Sequence, residues 1–174
     1  MSTYTLIQSQ TLASSATTVT FSSIPSTYTD LVLRVSARSN DAAVTNSLTV
    51  AVNGSTALTS YTYIEGTASA ATSGNAGFND NVQLTASLDA DNATANTFNN
   101  AEIYIPNYTS TSSKPMSAFA VAETNSATTA VITNTAGLYR TTTAINTITI
   151  SLNTYGTNNF KANSSFYLYG ISNA

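Results

Sequence analysis

Thr29-Asp30-Leu31-Val32-Leu33-Arg34-Val35-Ser36-Ala37-Arg38 is the stretch on which the fold turns. In an extended chain Leu31, Leu33, Val35 and Ala37 fall on one face, and Asp30, Val32, Arg34, Ser36 and Arg38 on the other. A half-buried antiparallel strand has this pattern, with a core side and a side left for water or a partner. On this reading Arg34 and Arg38 stand together on the outer face, next to Ser36.

The same alternation recurs from end to end. Segments 4–8, 17–22, 48–52, 56–64, 81–87, 98–105, 115–123, 130–139, 145–152 and 160–171 are rich in Val, Ile, Thr, Tyr and Phe and read as strands. Asn53-Gly54 lies between two of them and suits a tight hairpin, because both residues accept a positive φ. Segment 65–77 holds three glycines among small polar residues and reads as an exposed loop, as does polar segment 88–96. Thr, Ser and Asn make up 75 of the 174 residues, and all three are poor in helix interiors. No linker divides the chain and no repeat of fixed period appears. The expectation is a single all-β domain over residues 1–174. It should be a two-sheet antiparallel β-sandwich of jelly-roll type with about ten strands.

Composition removes several functions. The chain has no His and no Cys, so it has no Ser-His-Asp triad, no Cys-His pair, no disulfide, and no imidazole or thiolate metal site. Five Lys and Arg against eight Asp and Glu give a net charge of -3, which offers nucleic acid no electrostatic footprint. No apolar run approaches the ~18 residues of a membrane helix, and the first residues, Met1 to Leu6, lack the basic start of a secretory signal. Disorder is opposed by the 42% hydrophobic content and the low net charge. No catalytic residue and no cofactor is expected.

Weaker candidates remain. Glu102 and Glu123 lie on expected strands and could in principle pair as glycosidase carboxylates, although solvent-facing strand positions explain them as well. Asp89-Ala90-Asp91-Asn92 alternates oxygen ligands as a calcium loop does, without the glycine turn or the bidentate glutamate. N-x-S/T triplets occur at Asn53, Asn92, Asn107 and Asn163, fewer than the about six that chance would give at this Ser and Thr content. Tyr61 with Tyr63, and Tyr167 with Tyr169, share strand faces and suit either cross-strand packing or a sugar platform. The partner-contact candidates are Arg34, Arg38 and Lys114, with loops 65–77 and 109–114. A β-protein with 7% charged residues also lacks the usual protection of its strand edges, which an assembly would cover.

Four stretches carry a resemblance. They are Tyr4-Thr5-Leu6-Ile7 through Val19-Thr20-Phe21-Ser22-Ser23-Ile24-Pro25; Thr27-Tyr28-Thr29-Asp30-Leu31-Val32-Leu33; Glu102-Ile103-Tyr104-Ile105-Pro106-Asn107-Tyr108; and Leu168-Tyr169-Gly170-Ile171. In combination they resemble small structural proteins of tailed bacteriophages, many from marine and freshwater hosts. The resemblance implies a non-enzymatic virion protein, assembled in the host cytoplasm and displayed on the virion surface. Its partners would be the phage capsid protein or copies of itself, with a decoration or cement role. The alternative is a receptor-binding module of a tail fibre or tail tip, with a host glycan as partner.

Overall fold

The computed structural model describes residues 3–55, 58–67, 70–77, 86–125, 130–140, 142–152 and 158–172. Among these the chain forms no helix and twelve strands. They are β1 (Thr3–Thr11), β2 (Thr18–Phe21), β3 (Asp30–Ser36), β4 (Thr45–Val52), β5 (Leu58–Gly66) and β6 (Ala71–Gly77), followed by β7 (Ala86–Asp89), β8 (Asn100–Ile105), β9 (Lys114–Glu123), β10 (Ala130–Tyr139), β11 (Ile148–Leu152) and β12 (Ser165–Ser172).

Two antiparallel sheets hold them. One runs β1-β12-β3-β8-β9-β10-β5-β6 and the other β2-β11-β4-β7. Removing the hairpins β5–β6 and β9–β10 leaves β1-β12-β3-β8 facing β2-β11-β4-β7. In that skeleton each successive strand crosses to the opposite sheet except at the midpoint, where β4 and β7 pair side by side, and this is jelly-roll connectivity. The two hairpins are insertions that extend one sheet from four strands to eight.

The core lies between the sheets. Leu31, Leu33 and Val35 of β3 join Val19 and Phe21 of β2, Leu48, Val50 and Val52 of β4, and Ile148 and Ile150 of β11 in one buried cluster. Each such side chain contributes about 1.5–3 kcal/mol relative to exposure. Under β7 the inner face of β9 narrows to Ala118, Ala120 and Ala122, all buried. The short side chains let β7 come close enough for the Ser87 amide to donate to Thr133 Oγ1 on β10, at 3.1 Å.

Asparagine performs much of the turning in a chain with only seven glycines. Among the described residues, five of the six non-glycine positions with positive φ are Asn53, Asn96, Asn107, Asn125 and Asn163. Asparagine tolerates the left-handed region better than other side chains.

Two expectations need correction. Asn53-Gly54 does form a tight left-handed turn, with φ of 49° and 76°, but it does not make a β4–β5 hairpin. β4 belongs to the small sheet and β5 to the large one, because the chain crosses the core there. Segment 65–77 is mostly the hairpin β5–β6 rather than a loop. Gly74 admits the Tyr63 ring, which lies where a Cβ would stand, 2.5 Å away. Strand pairing therefore compensates for poor local propensity. Residues 56–57, 68–69 and 81–85 of the expected segments lie outside the described residues.

Residues of the four resembling stretches meet at one corner of the large sheet. Asp30 is nearly buried, and both its oxygens accept, Oδ2 from the Tyr104 hydroxyl at 2.7 Å and Oδ1 from the Asn107 amide at 2.8 Å. The buried Tyr108 hydroxyl donates to the Pro25 carbonyl and accepts from the Tyr28 amide. The Tyr28 ring covers Gly170 so closely that a Cβ there would stand 2.3 Å from it. Gly170→Ala should therefore destabilise by about 1–3 kcal/mol through overpacking, seen as a lower denaturant midpoint.

The bond to Asp30, with burial second, pushes the Tyr104 phenol up to about 12. Its neutral form is the one the fold favours. The stabilisation is present below the ordinary value of 10.0 and is lost as pH rises toward 12. Tyr104→Phe should cost about 1–2 kcal/mol at neutral pH. The variant should also lose less stability than the parent between pH 10 and 12 in denaturant titrations.

Candidate functional site

The two arginines of the opening stretch do not share a fate. Arg34, in the middle of β3, is exposed on the outer face of the large sheet, and its Nε donates to Glu102 Oε2 at 3.0 Å. β3 ends at Ser36, and past it the alternation no longer governs which way a side chain points. The backbone of Arg38 forms an isolated parallel bridge with Asp89, and its side chain turns inward to 4% exposure. There Nη1 donates to the carbonyls of Thr94 and Thr97 at 2.5 and 3.0 Å, and Nη2 to those of Ala93 and Asp91 at 2.9 and 3.3 Å. The expectation of Arg38 as an outward partner contact is corrected. It is a clamp on the loop that follows β7.

The clamp also reaches the calcium-like run, where the Asp91 carbonyl accepts from the Arg38 guanidinium. Asp91 also pairs with Lys161, whose ammonium holds the Asp91 carboxyl below its ordinary value. Asp89 is fully buried and accepts from the Glu123 amide at 2.9 Å, and burial pushes its carboxyl up. Among the described residues no cluster of three or more Asp or Glu has metal-holding geometry.

Lys114 is likewise corrected. It is fully buried at the start of β9, and its Nζ donates to the Ser110 and Ser112 carbonyls at 2.7 and 3.0 Å. It closes loop 109–114 from within, and burial pushes its ammonium down. Of the three named cations, only Arg34 stands on an open surface.

Glu102 and Glu123 are not brought together. Glu102 lies opposite Phe119 in the β8–β9 register, four residues from Glu123 along β9. At ~3.4 Å per residue this puts them ~14 Å apart, beyond the spacing of either glycosidase mechanism. Glu123 instead accepts from the Thr94 and Asn125 amides. Asn53, the first N-x-S/T asparagine, spends its side chain on the Ala144 carbonyl and on the Asn146 and Thr147 amides. Tyr61 and Tyr63 stack at 5.9 Å, Tyr61 against the core and Tyr63 over Gly74, so their role is packing.

Arg34 stands on the open outer face of the large sheet. In register across it run Tyr167, Arg34, Glu102, Phe119, Asn134 and Ile64, one from each of β12, β3, β8, β9, β10 and β5. Arg34, Asn100, Glu102 and Phe119 line a shallow depression of about 430 Å³ at its middle. Tyr4, Leu6, Ile132 and Leu138 are exposed on the same face. Reading the sequence missed Phe119, yet a signal was there. Ala118, Ala120 and Ala122 alternate with Phe119 and Val121, so an aromatic stands on the face opposite a run of small residues. Where the small residues are buried, the large one is displayed.

The sheet's two outer strands complete the picture. Among the described residues β1 and β6 each pair on one side only, and they contain no Lys, Arg, Asp, Glu or Pro. A bulge between Leu6 and Gln8 interrupts β1.

The contrast between the arginines is measurable. Arg38→Lys should destabilise by about 2–4 kcal/mol, since an ammonium cannot satisfy the carbonyls the fork now binds. Arg34→Ala should change stability by less than about 0.5 kcal/mol, as exposed ion pairs do. Paired denaturant curves check both. No family model and no curated protein matches the chain.

Proposed function

We propose that this chain is a non-enzymatic virion surface protein of a tailed bacteriophage that decorates or cements the assembled capsid. The observation carrying this reading is the pair of uncharged outer strands, β1 and β6, on one large sheet. Soluble β-proteins ordinarily guard such edges with Lys, Pro or a covering element, because unpaired N–H and C=O groups recruit other strands. An edge with no charge and no proline over its nine residues, broken by a bulge between Leu6 and Gln8, suits a protein whose edge is occupied in its working state. The partners are capsid subunits or neighbouring copies of the same chain. A stable contact buries at least ~1,000 Å² in total, and many weak contacts repeated over a lattice add effective affinity. The resemblance to small phage structural proteins supports the setting, and the lack of His and Cys supports the non-enzymatic role.

Immunogold labelling of purified virions carrying this chain tests it. Label at many sites over the head is the expected result. Label confined to the tail would replace it with the receptor-binding reading, which the exposed rings of Phe119 and Tyr4 favour. Particles without label would remove both. The attachment mode has its own test, because Leu6→Lys puts a charge on the β1 edge at an exposed position. The variant should melt like the parent and occupy fewer sites on particles. Unchanged occupancy would rule out attachment through β1.

A further inference from the structure

We infer that the depression at the centre of the large sheet is a binding site for a neutral oligosaccharide, with Phe119 as the stacking surface and Arg34, Glu102 and Asn100 as the hydroxyl-binding groups. The inference deepens the receptor-binding reading by giving it a site and a ligand class, and it rests on that reading only in making a glycan the partner. It holds whether the chain sits on a head or a tail, since the outer face and the β1 and β6 edges are different surfaces.

Charge decides the ligand's sign. Arg34 and Glu102 neutralise each other through the 3.0 Å contact, so the centre of the site offers neither an anion nor a cation a net attraction. It does offer hydrogen bonds. Among the described residues Arg34 uses only Nε and Glu102 only Oε2, leaving both η nitrogens and Oε1 without a partner there, and the exposed Asn100 side-chain amide has none either. Donors and acceptors thus lie side by side on adjacent strands, an arrangement suited to neighbouring hydroxyls that both donate and accept.

Phe119 supplies the other half of the chemistry. Phe119 is 47% exposed and lies directly opposite Glu102. A ligand meeting both needs an apolar face to lay on the ring and a polar rim to reach the ion pair. A pyranose has both in one rigid unit. The cross-strand row extends the site, with Tyr167 beyond Arg34 on one side and Asn134 beyond Phe119 on the other. Five strands at ~4.8 Å spacing span ~19 Å, room for several linked sugars lying across the strands.

A second depression, of about 310 Å³, is lined by Arg38, Asp91, Phe98 and Lys161 among others. It is the weaker candidate because Arg38 has spent its donors on loop carbonyls and Asp91 is tied to Lys161. It serves as the internal control.

The test is an array of neutral and acidic oligosaccharides probed with the purified chain. The best neutral binder is then titrated against the labelled protein by NMR. Binding of a neutral oligosaccharide is expected, with its monosaccharide weaker and shift changes confined to β3, β8, β9 and their neighbours. Phe119→Ala should weaken binding about ten- to a hundredfold, with an unchanged melting curve. Asp91→Asn, in the second depression, should leave binding unchanged. Binding to no neutral oligosaccharide, preference for sialylated or sulfated ones, or indifference to Phe119→Ala would each overturn the assignment. Immunogold placement is read separately, so a head location with sugar binding, or a tail location without it, tells the two ideas apart.

Discussion

Strand β12, the last in the chain, lies between β1 and β3, two of the first. On one side Thr3 pairs with Ser172 and Thr11 with Ser165; on the other, Phe166 pairs with Val35 and Ile171 with Asp30. Without β12, the large sheet loses β1 altogether and the buried Phe166 and Leu168 leave the core. Closing the fold therefore requires contact across almost the whole chain, at the loop-closure cost and slow folding of non-local β topologies. The corner built on Asp30, Tyr104 and Asn107 is where this junction is locked. The Thr29 amide donates to the Ile171 carbonyl at 2.8 Å, and Tyr28 seals Gly170 beside it. Residues from four separate stretches of the sequence come together here, and what they share is a way of closing a jelly roll.

A second theme is the inward use of charge. The chain has five cations, and two of the three picked out as outward contacts tie loop carbonyls from inside. Arg38 does for the loop after β7 what a bound metal does in many sandwich proteins. It gathers backbone oxygens that otherwise face burial unpaired, at the cost of desolvating one guanidinium. The surface carries mostly hydroxyls, amides and a few rings, with exposed charges paired as in Arg34–Glu102 and Lys161–Asp91. Such a surface dissolves well yet repels little, which suits contact with either a copy of itself or an uncharged polymer.

Much of the fold was legible because half-buried strands impose a period of two. Ala130–Tyr139 is a strand with the bounds its alternation gives, and β3 differs from its expected span by starting one residue late and ending two early. Turns were legible where asparagine or glycine had to supply a positive φ, as at Asn53-Gly54. What alternation does not encode is which sheet a strand joins. β4 and β5 flank a good hairpin turn and still part company across the core. Arg38 could not be placed for a related reason. The two-residue period ends with the strand, and the carbonyls it binds lie more than fifty residues away in the chain. Glycine-rich β6 depends on Tyr63 of its neighbour, a contact that local propensity does not contain. At the site, Arg34 was legible by face, whereas Glu102 and Phe119 join it only through the order β3-β8-β9.

The pairing of Thr3 with Ser172 also has a mechanical meaning. Because β1 and β12 are antiparallel and begin their ladder at the outer ends of the chain, tension between those ends reaches the hydrogen bonds one pair at a time. They peel apart like a zipper instead of resisting together in shear. A load applied along the termini would thus open the large sheet from its edge at modest force. The same load spread over the sheet's flank would be shared by many rungs. A protein of this shape is strong as a tile and weak as a tether.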